Sequence, residues 1–404
     1  YYKIMKNSSN LLNSKNLSSI LKKDIRILQD IFKANEFDSK NLLKLFGKEV
    51  TRHINIDIRE VNYLRNQVLF DKPNLLLLSD LFLLSKGVSK ENILRLLGKN
   101  IYLVLKKIGI LNENKKMVTS NIFFTPIANK IFINDGDKFN NQKYHVIQIV
   151  MEQPYLIKAV KAFSNFLLNK NKGSVLDLCT GSGVIGQSII PKNWNLLGVD
   201  INPRALNYAR FNLKINNLKG KYKLLDVTKA KLKKKYDIIL ANPPYNALVP
   251  IKSAVSDLTL HSGIHGDAVP NSCAKIVKNN LAKNGMYFMC GIILLKNNRP
   301  ADKTLLDLSK TGTLIILHKA ISDINTWEGM RLLYNCTPDF QKIAKGQFNK
   351  IASQNDSFNQ VTWAIVIYKN NSFAKLKNIY NHSTDAVLIS KEAEKKCLSA
   401  LNKH

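Results

Sequence analysis

The segment 174–186, SVLDLCTGSGVIG, constrains the fold of this chain more than any other part of the sequence. Val175, Leu176 and Leu178 form a short apolar run that is typical of a buried strand. Gly181, Gly183 and Gly186 then give the spacing G-x-G-x-x-G, where a strand would turn into a helix. Glycine permits a tight turn here and lets a ligand come close to the start of the helix. The pattern predicts a site for a nucleotide-type cofactor.

Two further apolar runs follow in an order that strengthens this prediction. The run at 195–199 is followed by Asp200, about twenty residues after the glycines. An acidic residue at this spacing can bind a ribose hydroxyl. Residues 236–241 are followed by NPPY at 242–245, whose prolines donate no backbone hydrogen bond and stiffen the loop. An ordinary proline-rich turn is the alternative interpretation of NPPY. The three segments together predict an α/β, Rossmann-like domain.

The combination of LDLCTGSG at 176–183 with NPPY resembles the class I S-adenosylmethionine-dependent methyltransferases. It is most similar to the members that methylate planar nitrogens: the glutamine methyltransferases of the HemK/PrmC type and the amino-methylating DNA and RNA enzymes. By motif order the resemblance covers residues 172–295. It implies a seven-stranded, Rossmann-like class I methyltransferase domain that uses S-adenosyl-L-methionine.

The resemblance also implies which residues would bind this cofactor. Gly181 and Gly183 would line its methionine portion, Asp200 would bind the ribose, and Asp226 would reach the adenine amino group. Asp177 would contact the methionine ammonium, or would instead cap the glycine turn.

The catalytic residues implied by the resemblance lie in the NPPY loop. An amide or aromatic amine is a poor nucleophile because its lone pair is delocalised. Asn242 and the carbonyl of Pro243 would accept hydrogen bonds from the acceptor NH2, and Tyr245 would pack against the planar group. Methyl transfer is an in-line displacement, so positioning is the main task of these residues.

A histidine-containing segment, HSGIHGD at 261–267, follows the NPPY loop. Gly266-Asp267 loosely matches a G-x-D-G-L-like segment of the glutamine methyltransferases. We expect a wall of the substrate pocket here, with His261 and His265 as candidate substrate-binding residues. A general base for a hydroxyl acceptor and loop histidines without a role are the alternatives. No metal site is predicted, because H-x-x-x-H outside a helix is a weak metal motif.

The chain is expected to divide into three regions. These are a helical lead-in at 1–72 that includes a helix at 57–69, a winged-helix-like module at 73–147, and a class I methyltransferase domain at 148–404 with an insertion at about 319–362. The insertion is longer than a simple connection needs, so it is expected to lie over the active site or to form a lid.

Apolar periodicity predicts the elements of the last two regions. The methyltransferase strands are expected near 174–178, 195–199, 222–225, 236–240, 286–294, 313–318 and 363–369, and its helices near 184–190, 203–215 and 270–282. The winged-helix-like module is expected to have helices at 74–86, 90–97 and 100–108, strands at 117–124 and 130–133, and a turn at 135–137. Its third helix offers few polar side chains, which disfavours DNA readout and favours packing, dimerisation or substrate positioning.

The composition adds limits on location and partners. The net charge of +32 is spread along the chain and favours anionic partners such as RNA only mildly. The five cysteines form no C-x-x-C motif, which favours a reducing compartment. The apolar run 75–84 is interrupted by Asp80 and is too short to cross a bilayer. A cytoplasmic protein without a membrane partner is expected.

Three hypotheses for function follow from these observations. The first is N-methylation of a planar amide or base amino nitrogen on a macromolecule, either protein glutamine or RNA/DNA. The second is a small-molecule methyltransferase in which the N-terminal module mediates homodimerisation and closes the pocket, and the segment around His261 and His265 supplies a base. The third is a non-enzymatic scaffold that binds the cofactor, which an intact NPPY motif disfavours.

Overall fold

The computed structural model describes most of the 404-residue chain. The described residues are 12–46, 71–136, 144–247, 261–334, 358–381, 383 and 389–402. The predicted helix at 57–69 and residues 335–357 of the predicted insertion lie outside these ranges. The chain forms two compact units, of which the first comprises Tyr1–Met151, Gly181–Ser188 and Asn202–Lys219, and the second comprises Glu152–Thr180, Ile189–Ile201 and Gly220–His404.

Helices and strands alternate along most of the chain. The helices are α1 (Lys22–Ala34), α2 (Ser39–Phe46), α3 (Pro73–Phe82), α4 (Lys90–Lys107), α5 (Glu152–Leu168), α6 (Val184–Ile189), α7 (Pro203–Ile215), α8 (Ala268–Asn280), α9 (Lys303–Ser309), α10 (Trp327–Tyr334) and α11 (Lys391–Asn402). The strands are β1 (Val88–Ser89), β2 (Leu111–Asn114), β3 (Met117–Ser120), β4 (Ile122–Ile127), β5 (Lys130–Asp135), β6 (Ser174–Leu178), β7 (Asn195–Asp200), β8 (Lys221–Leu224), β9 (Tyr236–Ala241), β10 (Leu281–Lys296), β11 (Arg299–Pro300), β12 (Thr313–Asp323), β13 (Gln360–Lys369) and β14 (Lys375–Tyr380). Within the described ranges, no helix is long and apolar enough to cross a membrane.

The second unit is built on one sheet, whose strand order is β14-β12-β13-β10-β9-β6-β7-β8 with β11 paired to β10. Strands β6 to β10 pair in parallel with one another, whereas β13 runs antiparallel to both β10 and β12. The predicted α/β class with a mostly parallel sheet is confirmed. All seven predicted strands are present, but the described sheet has nine, because β11 and β14 add to it.

The order of these strands determines where a ligand would bind. From β6 the chain adds β7 and β8 on one side, and then returns to add β9 and β10 on the other side. In open α/β sheets, ligands bind outside the carboxyl ends of the strands at such a reversal. Asp177, Asp200 and Asn242 lie at or next to the carboxyl ends of β6, β7 and β9. The sheet therefore brings them to one edge.

The first unit has a core of its own, in which phenylalanines from distant parts of the chain meet. Phe32 of α1 and Phe82 of α3 both pack on Phe124 of β4, with ring centroids 5.4 and 4.7 Å apart. Aromatic pairs at these tilted or edge-to-face angles add to the free energy gained by burial. Tyr208 and Phe211 of α7 belong to the same core, so this unit combines N-terminal elements with a later helix.

One expectation for the region 73–147 is wrong in detail. The predicted strand 117–124 is split at Asn121: β3 pairs with β1 and β2, and β4 pairs with β5. The cause is Asn121 itself, whose side chain donates a 2.7 Å hydrogen bond to the carbonyl of Gly109 and whose backbone N–H bonds to Ile110. The break predicted between the helices at 90–97 and 100–108 is confirmed, because Gly98 within α4 has a non-helical backbone with φ of 72°. The winged-helix assignment stays a prediction.

Two asparagines of α7 pair with the backbone of β5 as a neighbouring strand would. Asn212 accepts a hydrogen bond from the N–H of Ile133, and Asn216 accepts one from the N–H of Ile131, each over 2.8 Å. Both side-chain amides also donate to the carbonyls of these two residues. The two asparagines are four residues apart on the helix, a rise of about 6 Å, and the two isoleucines are two residues apart on the strand, a rise of about 6.6 Å. The two distances match, so both pairs can form. The helix thereby satisfies backbone groups of β5.

Asp135, the first residue of the turn expected at 135–137, forms a buried ion pair instead. Asp135 ends β5 and is fully buried. Its carboxylate accepts hydrogen bonds from the guanidinium of Arg204, at 2.5 and 3.1 Å, and from the hydroxyl of Tyr208, at 2.6 Å. A buried charge is tolerated only when it is paired in this way. Residue 137 lies outside the described ranges.

We predict that Asp135→Ala destabilises the protein by about 3–5 kcal/mol, because it leaves the Arg204 charge without its carboxylate partner. Glu36→Ala, which breaks the exposed ion pair of Glu36 with Lys72, is the control and should cost less than about 1 kcal/mol. Urea denaturation of the two variants and the wild type measures the difference. Similar losses in both variants would contradict the importance of the buried pair.

Candidate functional site

The NPPY loop is fixed at its first residue by the neighbouring strand. Ala241 is paired with Met289 in the parallel β9–β10 ladder, so Asn242 comes to lie beside Cys290. The Cys290 thiol donates a hydrogen bond to Asn242 Oδ1 over 3.0 Å. Burial raises the pKa of this thiol, so it stays protonated and remains a donor. No local sequence pattern predicts this contact.

The aromatic end of the loop is fixed by the next residue of β10 and by helix α5. A Cβ on Gly291 would come within 3.2 Å of the Tyr245 ring, so the ring lies directly against the strand. The Tyr245 hydroxyl donates a 3.0 Å hydrogen bond to Oε1 of Glu152, the first residue of α5. Burial, followed by the nearby Glu152 carboxylate, raises the pKa of Tyr245 well above its usual range. Glu152 was not among the site residues predicted from the sequence.

The histidine-containing segment lies against the backbone that follows Tyr245. Asn246 forms a bridge with His261, and its carbonyl accepts a 2.9 Å hydrogen bond from the N–H of Ser262. Gly266 has φ of 77°, and a Cβ there would overlap the Tyr245 carbonyl oxygen and lie 2.9 Å from the backbone nitrogen of Ala247. The structure thus brings residues 261–266 to the loop, as the pocket-wall interpretation requires.

His265 itself packs edge-to-face on Phe358, with ring centroids 5.6 Å apart. The substrate-binding roles of His261 and His265 stay predictions. Within the described ranges, no group of three or more His, Cys, Asp or Glu side chains is arranged to hold a metal ion.

The predicted insertion also reaches the chain just after the loop. Asn246 donates a side-chain hydrogen bond to the carbonyl of Leu332 over 3.1 Å, and the Ala247 N–H bonds to the carbonyl of Leu333 over 2.8 Å. Both acceptors lie on α10. Ala247 and Leu333 also share a small apolar cluster with Ile292. The described part of the insertion therefore supports the residues that follow the NPPY loop.

The acidic residues predicted to bind the cofactor differ in their local contacts. Asp177 accepts a 2.6 Å hydrogen bond from the hydroxyl of Thr180. Asp226 accepts hydrogen bonds from the N–H and hydroxyl of Thr228, which hold the pKa of its carboxyl below the usual range. Asp200 ends β7, and its carbonyl accepts a hydrogen bond from Leu225. The cofactor roles of all three stay predictions.

The glycine loop belongs to the first compact unit and is held there by two asparagines. Gly181 and Gly183 have φ values of 54° and 82°, the left-handed region in which glycine is favoured. Between them, the Ser182 hydroxyl accepts a 2.8 Å hydrogen bond from Asn134, and the Ser182 carbonyl accepts a 2.9 Å bond from Asn212. These partners are far apart in sequence, so local patterns could not identify them.

Comparison with known proteins gives a consistent result for the central part of the chain. Residues 156–262 match the model of the Methyltransferase small domain family. A release factor glutamine methyltransferase of Buchnera aphidicola is 36% identical over 93 residues, which cover 22% of this chain and 34% of that protein. A ribosomal RNA small subunit methyltransferase C of Haemophilus influenzae is 42% identical over 80 residues, which cover 19% of this chain and 24% of that protein. The predicted resemblance to methyltransferases of these types is confirmed over this part.

These matches have limited extent. The chain spans about a third of the length of the first relative and about a quarter of the second. A Listeria monocytogenes structure described as a class I S-adenosylmethionine-dependent methyltransferase covers 96% of this chain and 99% of its own, with 12% identity and a TM-score of 0.40. That score is too low to support an inference about function.

We predict that Gly266→Ala disturbs the NPPY loop more than Gly263→Ala does. Both glycines have a left-handed backbone, so each substitution should cost about 1–2 kcal/mol of strain. At Gly263 the nearest atom to a new Cβ is the Ala268 Cβ at 3.3 Å, whereas at Gly266 the Tyr245 carbonyl must move, at roughly 1–3 kcal/mol more. Urea denaturation, with amide hydrogen exchange of Asn242 and of residues 245–247, measures the two effects. Equal effects of the two substitutions would contradict the close contact between Gly266 and the Tyr245 carbonyl.

Proposed function

We propose that the protein is an S-adenosylmethionine-dependent N-methyltransferase that acts on a planar amide or base amino nitrogen of a macromolecule. The observation that carries the proposal is the hydrogen bond from Cys290 to Asn242 Oδ1. It orients the Asn242 amide at the carboxyl edge of the sheet, where the strand order reverses. A carbonyl oxygen has two lone pairs, so Oδ1 keeps one for an acceptor NH2.

The residues at this edge suit the cofactor. Asp200 and Asp226 come from adjacent parallel strands or from the residues just after them, as separate contacts to a ribose and a base would need. S-adenosylmethionine would supply an electrophilic methyl group on a sulfonium. Asn242 and the Pro243 carbonyl would hold the acceptor nitrogen so that its lone pair points at the methyl carbon, and Tyr245 would pack on the planar group. Catalysis would come mainly from this alignment.

A macromolecular acceptor is supported by the names of the relatives and by the charge of the chain. The two relatives act, by their names, on a release factor and on ribosomal RNA. The net charge of +32, although spread along the chain, mildly favours association with polyanions, including ribosomes. Protein glutamine and a nucleic-acid amino group both remain within the proposal, because each presents a planar NH2.

We predict that Asn242→Ala and Asp200→Ala affect different steps. Asn242→Ala should lower the rate of methyl transfer by about 100-fold or more while leaving S-adenosylmethionine affinity unchanged, because its contact matters only for the acceptor. Asp200→Ala should weaken cofactor binding by about 1.5–3 kcal/mol, the free energy of a charge-assisted hydrogen bond. Isothermal titration calorimetry and single-turnover transfer assays separate the two effects. Loss of cofactor binding in Asn242→Ala would contradict the role assigned to it.

A further inference from the structure

A carboxylate beside the NPPY loop accepts a hydrogen bond through only one of its two oxygens, among the residues that the structure describes. Oε1 of Glu152 accepts the hydrogen bond from the Tyr245 hydroxyl, over 3.0 Å. Oε2 is buried and has no hydrogen-bond donor among the residues that the structure describes. No ion pair links this carboxylate to a cation in the same ranges. A buried carboxylate oxygen without a donor is costly, so a role beyond stability is indicated.

The surroundings of this carboxylate are aromatic and largely closed to water. Trp363 of β13 lies against Tyr245 and stacks on Tyr155 of α5, with ring centroids 5.5 Å apart. Tyr155 is 1% exposed. Aromatic neighbours screen a charge less than water does, so the field of the Glu152 carboxylate extends further than it would at a surface.

The carboxylate is also close to the residue that orients the acceptor. Its charge contributes, after burial, to raising the pKa of the Cys290 thiol, so the two groups interact. Cys290 in turn donates to Asn242 Oδ1. Glu152, Tyr245, Cys290 and Asn242 thus form one connected group at the start and end of the NPPY loop.

The proposed reaction creates a charge at this place. The acceptor nitrogen forms a bond to the methyl carbon, the carbon–sulfur bond breaks, and its electron pair returns to sulfur. The positive charge of the sulfonium passes to the nitrogen, which then loses one proton to solvent. A fixed negative charge near the nitrogen stabilises this developing charge more than it stabilises the neutral acceptor.

Resting on the proposed N-methyl transfer, we propose that Glu152 is a positioning residue for the reaction. It holds the Tyr245 hydroxyl through one oxygen and keeps a negative charge beside the NPPY loop that favours the positively charged acceptor nitrogen. Glu152 lies at the first position of α5, where the helix dipole also favours an acid, but the dipole does not account for the bond to Tyr245.

The test uses variants that separate the charge from the hydrogen bond. Glu152→Gln keeps an oxygen that can accept from Tyr245 but removes the charge. Tyr245→Phe removes the hydrogen bond but keeps both the ring and the carboxylate. Glu328→Gln, which removes the charge of an exposed glutamate paired with Arg331, is the control. Full-length proteins are compared by transfer of labelled methyl groups from S-adenosylmethionine to the macromolecules of a cell extract.

Glu152→Gln is expected to lower kcat about tenfold or more, with the KM for the extract's macromolecules and the affinity for S-adenosylmethionine unchanged, and Tyr245→Phe is expected to lose less. A wild-type rate in Glu152→Gln, a raised KM, or an equal loss in Tyr245→Phe would overturn the inference. If Glu152→Gln proves unstable in urea, Glu152→Asp, which keeps the charge, should retain most of the activity, and its inactivity would count against the role of the charge. Absence of transfer by the wild type would overturn the proposed function instead.

Discussion

The parallel pairing of β9 with β10 is the constraint on which the candidate site depends. Because Ala241 is in register with Met289, the residue after β9 must lie next to Cys290. The same strand then places Gly291 under the Tyr245 ring. Two adjacent residues of one buried strand therefore fix both ends of the NPPY loop. A loop held by a strand in this way keeps its side chains in a defined geometry, as alignment of an acceptor nitrogen requires.

Segments distant in sequence pack around this loop. The first residue of α5 accepts the hydrogen bond of Tyr245, residues 261–266 lie against the following backbone, and α10 bonds to Asn246 and Ala247. Each of these contacts joins residues at least fifteen positions apart in the sequence. The pairing of β9 with β10 holds the loop that they share. The chemistry proposed for the site thus depends on tertiary structure as much as on the four residues of the motif.

The sequence was informative where local patterns decide the structure. The strand at 174–178 and the helix at 203–215 were predicted at the bounds observed, because buried apolar runs and helical periodicity are local. The NPPY loop and the glycine loop were identified by residue type and spacing. The α/β class followed from buried apolar runs that end at a glycine loop, an acidic residue and the NPPY loop.

Long-range contacts explain what was missed. Asn121 splits a predicted strand because its side chain and backbone bond to Gly109 and Ile110. Asp135 was expected in a turn, yet it forms a buried ion pair with Arg204, 69 positions later. Glu152 had no local signal, since its importance comes from Tyr245. In each case the residue that decides the structure lies elsewhere in the chain, and no periodic pattern in the sequence predicts the contact.

The most direct test of the central claim is to incubate the purified protein with methyl-labelled S-adenosylmethionine and an extract of the cells it comes from, and then to measure label in acid-precipitable and acid-soluble fractions. Acid-precipitable label that protease or nuclease releases is the predicted result, and the enzyme that releases it identifies the polymer. Label confined to a new acid-soluble product would contradict a macromolecular acceptor.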